Sequence, residues 1–312
     1  MEVERMNRKE CFLLLGANGF IGKQLTRKLS EHTPIKAYDR QFFDDFPLND
    51  NVTCITGNLM TEADFESLLK DVTTVIHFAG MAIPSDDTGR IETEIQSDLL
   101  PTVHLLEAMR QYQVPKIVFA SSAGVIYGET GDTVNTSRSR PAPACSYGII
   151  KQTIESYLKL YARNYGIRCK IARMSNPYGM GQDVNKIQGL IPILIRNLMQ
   201  NQPIHVFGDA EKMRDYIYLP DLIEGLEKVV YDESDETVFN LGFGQYHTIQ
   251  EVIDLIEEKV GRQFCEIIRE PERKCDLKKS LVDFDEAHRL LHWYPKVELR
   301  EGIALLCQRM LG

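Results

Sequence analysis

A glycine-rich turn, Gly16-Ala17-Asn18-Gly19-Phe20-Ile21-Gly22, stands between an apolar run at 11–15 (CFLLL) and a helical pattern at 23–30. So short an all-apolar stretch reads as a strand buried on both faces, the habit of parallel sheets. Glycine lets the backbone turn tightly and approach a pyrophosphate, and the helix that follows presents free N–H groups and its positive end. The spacing is G-x-x-G-x-x-G, one residue wider than the common dinucleotide fingerprint. Strand, turn and helix nevertheless come in the order that fingerprint requires. The turn predicts a dinucleotide site carried by Gly16, Gly19, Phe20, Ile21 and Gly22.

Asp39 ends the next apolar run, about twenty residues on, where a carboxylate can accept both adenosine ribose hydroxyls and repels the extra phosphate of NADP. Its neighbour Arg40 could accept that phosphate or stay solvated. The reading favours NAD, with Asp39 and Arg40 both candidate contacts.

The first half of the chain continues as alternating strands and helices, which predicts βαβ units. Strands are expected at 35–38, 52–56, 74–78, 116–120 and 169–172, and helices at 61–69, 91–112 and 149–164. The long helix should be interrupted or restarted near Pro101. After Arg173 the loops lengthen and strands shorten, as at 203–207 and 216–218, with helical patterns at 190–200, 221–230 and 249–260. Asp221 reads as a helix cap and His77 as a strand-end packing residue. The fold class is therefore α/β, a Rossmann-type doubly wound parallel sheet with a smaller C-terminal α+β region that binds substrate. The expected domains are 1–173, joined by parts of 214–245, and 174–312.

A net charge of −9 argues against non-specific nucleic-acid binding, which needs clustered Lys and Arg. A few placed arginines can still hold a diphosphate in an acidic protein. The seven cysteines are scattered and form no C-x-x-C pair, so they read as reduced residues, with neither disulfide nor metal expected. The charged start MEVERMNRKE carries no signal-peptide pattern, and no later run approaches a membrane span. The expectation is a soluble, cytoplasmic protein.

Tyr147-x-x-x-Lys151 opens a predicted helix, so its two side chains share a face. A lysine near a phenol favours the phenolate and makes Tyr147 a usable base near neutral pH. Ser121-Ser122-Ala123-Gly124 follows the strand KIVFA, at the strand end where such folds place chemistry, and a serine there can hydrogen-bond the same substrate hydroxyl.

With these features the chain resembles the extended short-chain dehydrogenases/reductases, and within them the nucleotide-sugar epimerases. The resemblance runs from Phe12 to about Leu306. It rests on GANGFIG, HFAG at 77–80, SSAGVIYG at 121–128, SYGIIK ending at Lys151, SNPYG at 175–179, RDYIYLPD at 214–221 and RKCD at 273–276. It implies a catalytic set Ser122, Tyr147 and Lys151, with Tyr147 and Lys151 also touching the cofactor. It implies further cofactor contacts from Asn58 and Leu59 beside the adenine and from Phe78, Ala79 and Gly80. Asp98 and Pro101 stand where the family usually has Asn and Gly, which puts the support role of that helix in question. The implied substrate set is Asn176, Arg214 and Arg273 on a diphosphate and Asp276 on the nucleoside ribose, together with Ser122 and Tyr147. Ser280, four places after Asp276, is a small residue where a large one would exclude a 2-acetamido group.

Three reactions share this fold. A 4,6-dehydratase would need an acid/base pair at the places of Ala123 and Gly124, which argues against it. A 4-epimerase and a 4-keto-sugar reductase both remain, and Asp39 with the full clamp favours the epimerase. The substrate implied is a UDP-sugar, UDP-GlcNAc/UDP-GalNAc or UDP-Glc/UDP-Gal, with a place in polysaccharide biosynthesis. A reading from another class is a non-catalytic NAD-binding regulator; the intact Ser122, Tyr147 and Lys151 speak against it. A homodimer is expected, since the helices at 91–112 and 149–164 carry more apolar residues than one buried face needs (Ile149, Ile150, Ile154, Tyr157, Leu158, Tyr161).

Overall fold

A computed structural model of the chain describes residues 10–61, 63–83, 88–129, 131–182, 189–273 and 276–311. They form two compact units. One comprises the chain up to Ser121 with Ser146–Ala172 and Leu226–Phe239; the other comprises Ser122–Cys145, Arg173–Gly225 and Asn240–Gly312. Residues 122–145, expected with the first domain, thus fall in the second unit.

The first unit is organised by a seven-stranded parallel sheet. Its strands are β1 (Phe12–Leu15), β2 (Ile35–Asp39), β3 (Val52–Thr56), β4 (Thr74–His77), β5 (Lys116–Ser122), β6 (Arg168–Met174) and β7 (Val238–Leu241). The order is β7-β6-β5-β4-β1-β2-β3. Chain progress reverses between β1 and β4, the switch point where such sheets bind ligands beyond the strand ends. β1 and β4 are buried at every position, whereas the edge strand β3 is largely uncovered. This explains why β1 reads as a continuous apolar run and β3 does not. Three helices matter for the site: α1 (Phe20–Leu29), α2 (Leu100–Gln111) and α3 (Ser146–Tyr165).

The expected long helix at 91–112 is divided. An α-helical turn at Ile91–Glu94 passes into a π-helical turn at Ile95–Leu99 before α2 begins with Pro101 in its first turn. A proline has no N–H to donate and its ring crowds the preceding turn; the wider π turn removes that conflict without ending the helix. The helix expected from Thr61 begins instead at Phe65, where Asp64 caps it by accepting from Ser67 N at 3.2 Å. α3 starts at Ser146, not Ile149, so Tyr147 lies in its first turn. β7, with the sequence VFNL, was not foreseen: its four residues carry no alternation and a polar Asn240 interrupts them.

The second unit is α+β. A three-stranded sheet (Asn176–Tyr178, Met213–Tyr218, Tyr246–Thr248) and two parallel pairs (Ile204–Phe207 with Ile267–Glu270, and Val134–Asn135 with Leu281–Val282) carry its short strands. The helices Leu190–Met199, Ile249–Val260 and Leu299–Leu311 bury Leu194, Ile195, Ile253, Ile256, Ile303 and Leu306 in one core with Tyr178, Tyr216 and Tyr218. Ile249–Val260 is bounded by a Thr248/Glu251 capping box and by Gly261 at φ 73°. Asp221, expected as a cap, lies inside the helix Leu219–Tyr231 and accepts from Lys296 N and Val297 N at 2.8 Å. It thereby ties down the C-terminal segment next to Trp293, whose indole N–H donates to Asp221 O at 3.1 Å.

Candidate active site

The glycine turn after β1 is a place of close backbone approach. Gly16 has φ 80°, and a side chain there would come within 2.7 Å of Phe78 C and Ala79 N after β4. A Cβ at Gly22 would collide with Gly16 O and stand 2.9 Å from Ala17 O. Gly16 N and Ala17 N donate to Tyr38 O at 3.0 and 3.3 Å, which pins the turn to the end of β2. Gly19 is the N-cap of α1 and offers no side-chain acceptor, so the first-turn N–H groups remain available to an anion, flanked by half-buried Phe20 and Ile21.

Asp39 is held in this cluster. Its Oδ2 accepts from Asn18 N at 2.8 Å and its Oδ1 from Arg40 N at 2.7 Å. Arg40 is exposed, with Nη1 3.7 Å from Met81 Sδ. Gly57 N donates to Asp39 O at 3.0 Å, which brings the following Asn58 and Leu59 alongside. Asn58 Oδ1 accepts from Met60 N at 3.0 Å, and Leu59 packs on the sheet core. Asn18 Oδ1 is buried without a hydrogen-bond partner. A shaved backbone cradle, an open helix start, a fixed carboxylate and an orphaned amide oxygen fit a dinucleotide.

Sequence reasoning left Asp98 in question, and the structure gives it work. Almost fully buried, its carboxylate accepts from Met81 N at 2.8 Å, Ala82 N at 3.2 Å and Ser97 Oγ at 2.6 Å. Gly80 leaves room for this, since a Cβ there would stand 2.7 Å from Asp98 Oδ2. The loop Phe78-Ala79-Gly80 is therefore braced from the π-helical turn.

Lys151 is buried at 8% exposure. Its Nζ donates to Ala120 O at 3.0 Å and lies 5.5 Å from the Tyr147 ring centre and 4.8 Å from that of Phe119. Burial pulls its pKa below the ordinary lysine range, and the charges of Asp98 and Glu155 oppose that pull. His77, expected as packing, packs edge-on against Phe119 and shares a 2.9 Å hydrogen bond with Thr102 Oγ1. Burial, aided by the Lys151 charge, pushes it down to about 3, so it stays neutral at any working pH.

The second unit collects the rest of the predicted set. Ser122 stands at the start of the short helix Ala123–Ile126 without a side-chain capping bond, and a Cβ at Gly124 would stand 3.8 Å from both Ser122 Oγ and Asn176 Oδ1. Asn176 Nδ2 donates to Asp215 O at 2.7 Å, next to Arg214, whose Nη1 donates to Met213 O at 2.8 Å. Met213 N donates to Lys278 O at 3.1 Å, so this strand meets the segment of Asp276 and Ser280. Asp276 Oδ2 accepts from the buried Lys212 Nζ at 3.1 Å, and the Arg273 guanidinium lies 3.7 Å from the centre of the Phe207 ring. Ser280 Oγ is buried without a hydrogen-bond partner. Lys212 and Glu155 escaped sequence reasoning because a lone charged residue gives no hint of burial.

Gly22→Ala is expected to weaken NAD binding about tenfold or more and to lower the melting temperature, since overfilling a packed site costs about 1–3 kcal/mol. Calorimetric titration with NAD and a thermal melt check it; wild-type values for both would mean that the turn has slack.

The sequence matches the family described as the NAD dependent epimerase/dehydratase family over residues 12–242. It is similar to a Methanocaldococcus jannaschii protein provisionally named as a UDP-glucose 4-epimerase, with 31% identity over 93% of this chain and 95% of the relative. It is also similar to the dTDP-4-dehydro-6-deoxyglucose reductase of Escherichia coli, with 30% identity over 95% of this chain and 96% of the relative. Among solved structures, the UDP-glucose 4-epimerase of Thermus thermophilus in complex with NAD superposes with a TM-score of 0.88 at 28% identity, covering 97% of this chain and 99% of that one. A match over most of the chain, with relatives aligned from end to end, shows that this chain belongs to the NAD dependent epimerase/dehydratase family, as an enzyme of the extended short-chain dehydrogenase/reductase type that uses NAD.

Proposed function

We propose that the chain is a nucleotide-sugar 4-epimerase acting on UDP-GlcNAc and UDP-GalNAc, and with them UDP-Glc and UDP-Gal. The observation that carries the reading is the buried Lys151 ammonium beside the ring of Tyr147. A cation held there favours the phenolate, so Tyr147 can take the proton of the sugar 4-hydroxyl. Ser122 hydrogen-bonds the same hydroxyl. Arg214 and Arg273 clamp the diphosphate with Asn176, and Asp276, steadied by Lys212, takes the nucleoside ribose. NAD, when bound, supplies a reversible hydride acceptor. Gly16, Gly19, Phe20, Ile21, Gly22, Asp39, Arg40, Asn58, Leu59, Phe78, Ala79, Gly80, Tyr147 and Lys151 would hold it. The diphosphate tether lets the 4-keto sugar turn over in place before Tyr147 returns the proton.

A second reading, a 4-keto-sugar reductase, is favoured by the similarity to the Escherichia coli reductase. The two differ in cofactor economy. An epimerase converts many substrate molecules per bound NAD, whereas a reductase consumes one reduced cofactor per product. Incubating the protein with a panel of nucleotide sugars and separating the products decides between them.

Among the described residues no helix is long and apolar enough to cross a membrane. We place the enzyme in the cytoplasm, where nucleotide sugars serve polysaccharide biosynthesis. We also propose a homodimer. Of the apolar residues on α3, Ile150, Ile154, Leu158 and Tyr161 are buried within the unit, while Ile149 is 52% and Tyr157 38% exposed. Ile91, Ile95 and Leu100 are exposed as well, so a partner surface is still needed to cover them. Sedimentation should give a dimer at micromolar concentration, and a monomer across that range would remove the proposal.

Tyr147→Phe should lower kcat by about 10²–10⁴-fold with NAD affinity near wild type; retention of a large share of the rate would take Tyr147 out of the base role. Ser280→Tyr should abolish turnover of acetamido sugars and spare plain hexoses, because a ring fills the space that a hydroxymethyl leaves. If wild type ignores acetamido sugars, or the mutant handles them undiminished, this position does not gate the pocket.

A further inference from the structure

β5 and α3 are joined at the strand's end by two polar contacts in register. Lys151 Nζ donates to Ala120 O at 3.0 Å, and Ser121 Oγ donates to Glu155 Oε1 at 2.6 Å. Ala120 and Ser121 are consecutive in the strand, and Lys151 and Glu155 stand one turn apart on the buried face of the helix. Ser121 is 2% and Glu155 1% exposed. A carboxylate so deeply buried is expensive unless it is hydrogen-bonded and set against a positive charge, and helix packing alone would be served by an apolar side chain. Ser121 supplies the hydrogen bond, and Lys151 supplies the charge.

We propose that Glu155 is a positioning residue for the reaction: anchored by Ser121, its carboxylate provides the counter-charge that keeps the buried Lys151 a cation beside Tyr147. The proposal rests on the reading of Tyr147 as base. Other groups facing Lys151 are Asp98 from the π-helical turn, His77 from β4 and Tyr147 from its own helix. Asp98 acts on Lys151 in the same sense and shares the counter-charge with Glu155, whereas His77 is neutral. The same Ser121–Glu155 bond fixes the end of β5, one residue before Ser122.

The direction of the effect follows from charge alone. Removing a negative group makes the proton on every neighbouring site easier to lose. Glu155→Gln keeps an acceptor for Ser121 and drops the charge, so Tyr147 and Lys151 should both titrate at lower pH. The acid limb of the kcat–pH profile, set by Tyr147, and the alkaline limb, set by Lys151, should therefore move down together. A merely structural role would lower kcat and leave both limbs in place.

The test compares wild type, Glu155→Gln and Glu155→Asp by epimer formation across pH. In parallel, the Tyr147 phenol is titrated by NMR of ¹³Cζ-tyrosine, with Tyr147→Phe assigning the signal. Expected are limbs and a Tyr147 midpoint lower by about half to one pH unit in Glu155→Gln, unchanged KM, and wild-type limbs in Glu155→Asp, which keeps the charge. Should Glu155→Gln fail to fold, the pair Ser121→Ala with Glu155→Leu removes this donor and acceptor together and should give the same downward shift. An unmoved profile and an unmoved Tyr147 midpoint would overturn the proposal. A wild type that turns over no nucleotide sugar would sink the epimerase reading instead, and the NMR titration would still decide the role of Glu155.

Discussion

Removing an ammonium group from water costs several kcal/mol unless the surroundings replace what the solvent gave, and Lys151 is such a group. Its replacements come from three parts of the chain. The carbonyl of Ala120 takes one hydrogen, the Phe119 and Tyr147 rings face it, and the carboxylates of Asp98 and Glu155 oppose its charge. None of these is adjacent to Lys151 in sequence. Tyr147 and Glu155 flank Lys151 by one turn on α3, whereas Ala120, Phe119 and Asp98 reach it only because the buried face of α3 packs against their elements. A helix turned by one residue would bring Gln152 to the strand and leave the charge uncompensated. The sheet order and the helix register are thus conditions for the proposed chemistry, and the polar contacts in turn favour that register over its neighbours.

The glycine turn of the same unit, the proposed cofactor end, follows a different constraint, which is space. Gly16 and Gly22 allow backbone to pass where no side chain could, and Gly80 makes room for the Asp98 carboxylate. Asp98 links the two regions, because it braces the loop after β4 with two backbone hydrogen bonds while its charge acts on Lys151. On the proposed reading, a change at Asp98 should be felt in cofactor binding and in proton transfer at once. A change at Gly22 should be confined to the former.

What could be read from the sequence was what is local. The glycine turn, the apolar β1 and the Tyr147–Lys151 spacing each carry their meaning within a few residues, and they appear where the pattern puts them. The start of α3 was misplaced by three residues, since Ser146-Tyr147-Gly148 carries no apolar period to announce a helix. β7 was missed because VFNL is short and its place at the sheet's edge depends on β6 rather than on its own composition. The Ser121–Glu155 bond spans 34 positions and the Lys212–Asp276 pair 64, separations over which a sequence gives no sign of contact. Arg214, Arg273 and Asn176 came from resemblance alone. The structure adds their partners, a backbone carbonyl for each of Arg214 and Asn176 and an aromatic face for Arg273.

The second unit uses a buried cation differently from the first. Lys212 is 2% exposed, but its partners are the partly exposed Asp276 and Glu272, together with the carbonyl of Phe207. The buried ammonium takes one carboxylate oxygen of each acid, so the Asp276 carboxylate is held in place from one side. An oriented acceptor loses little freedom when a hydroxyl pair arrives, which is how preorganisation turns the same contact into more affinity. Ser280 lies on the same segment, with its hydroxyl buried and without a hydrogen-bond partner among the described residues. A buried polar group in that condition is a standing cost of about 1–3 kcal/mol, and on the proposed reading a hydrogen-bonding group of the substrate would relieve it.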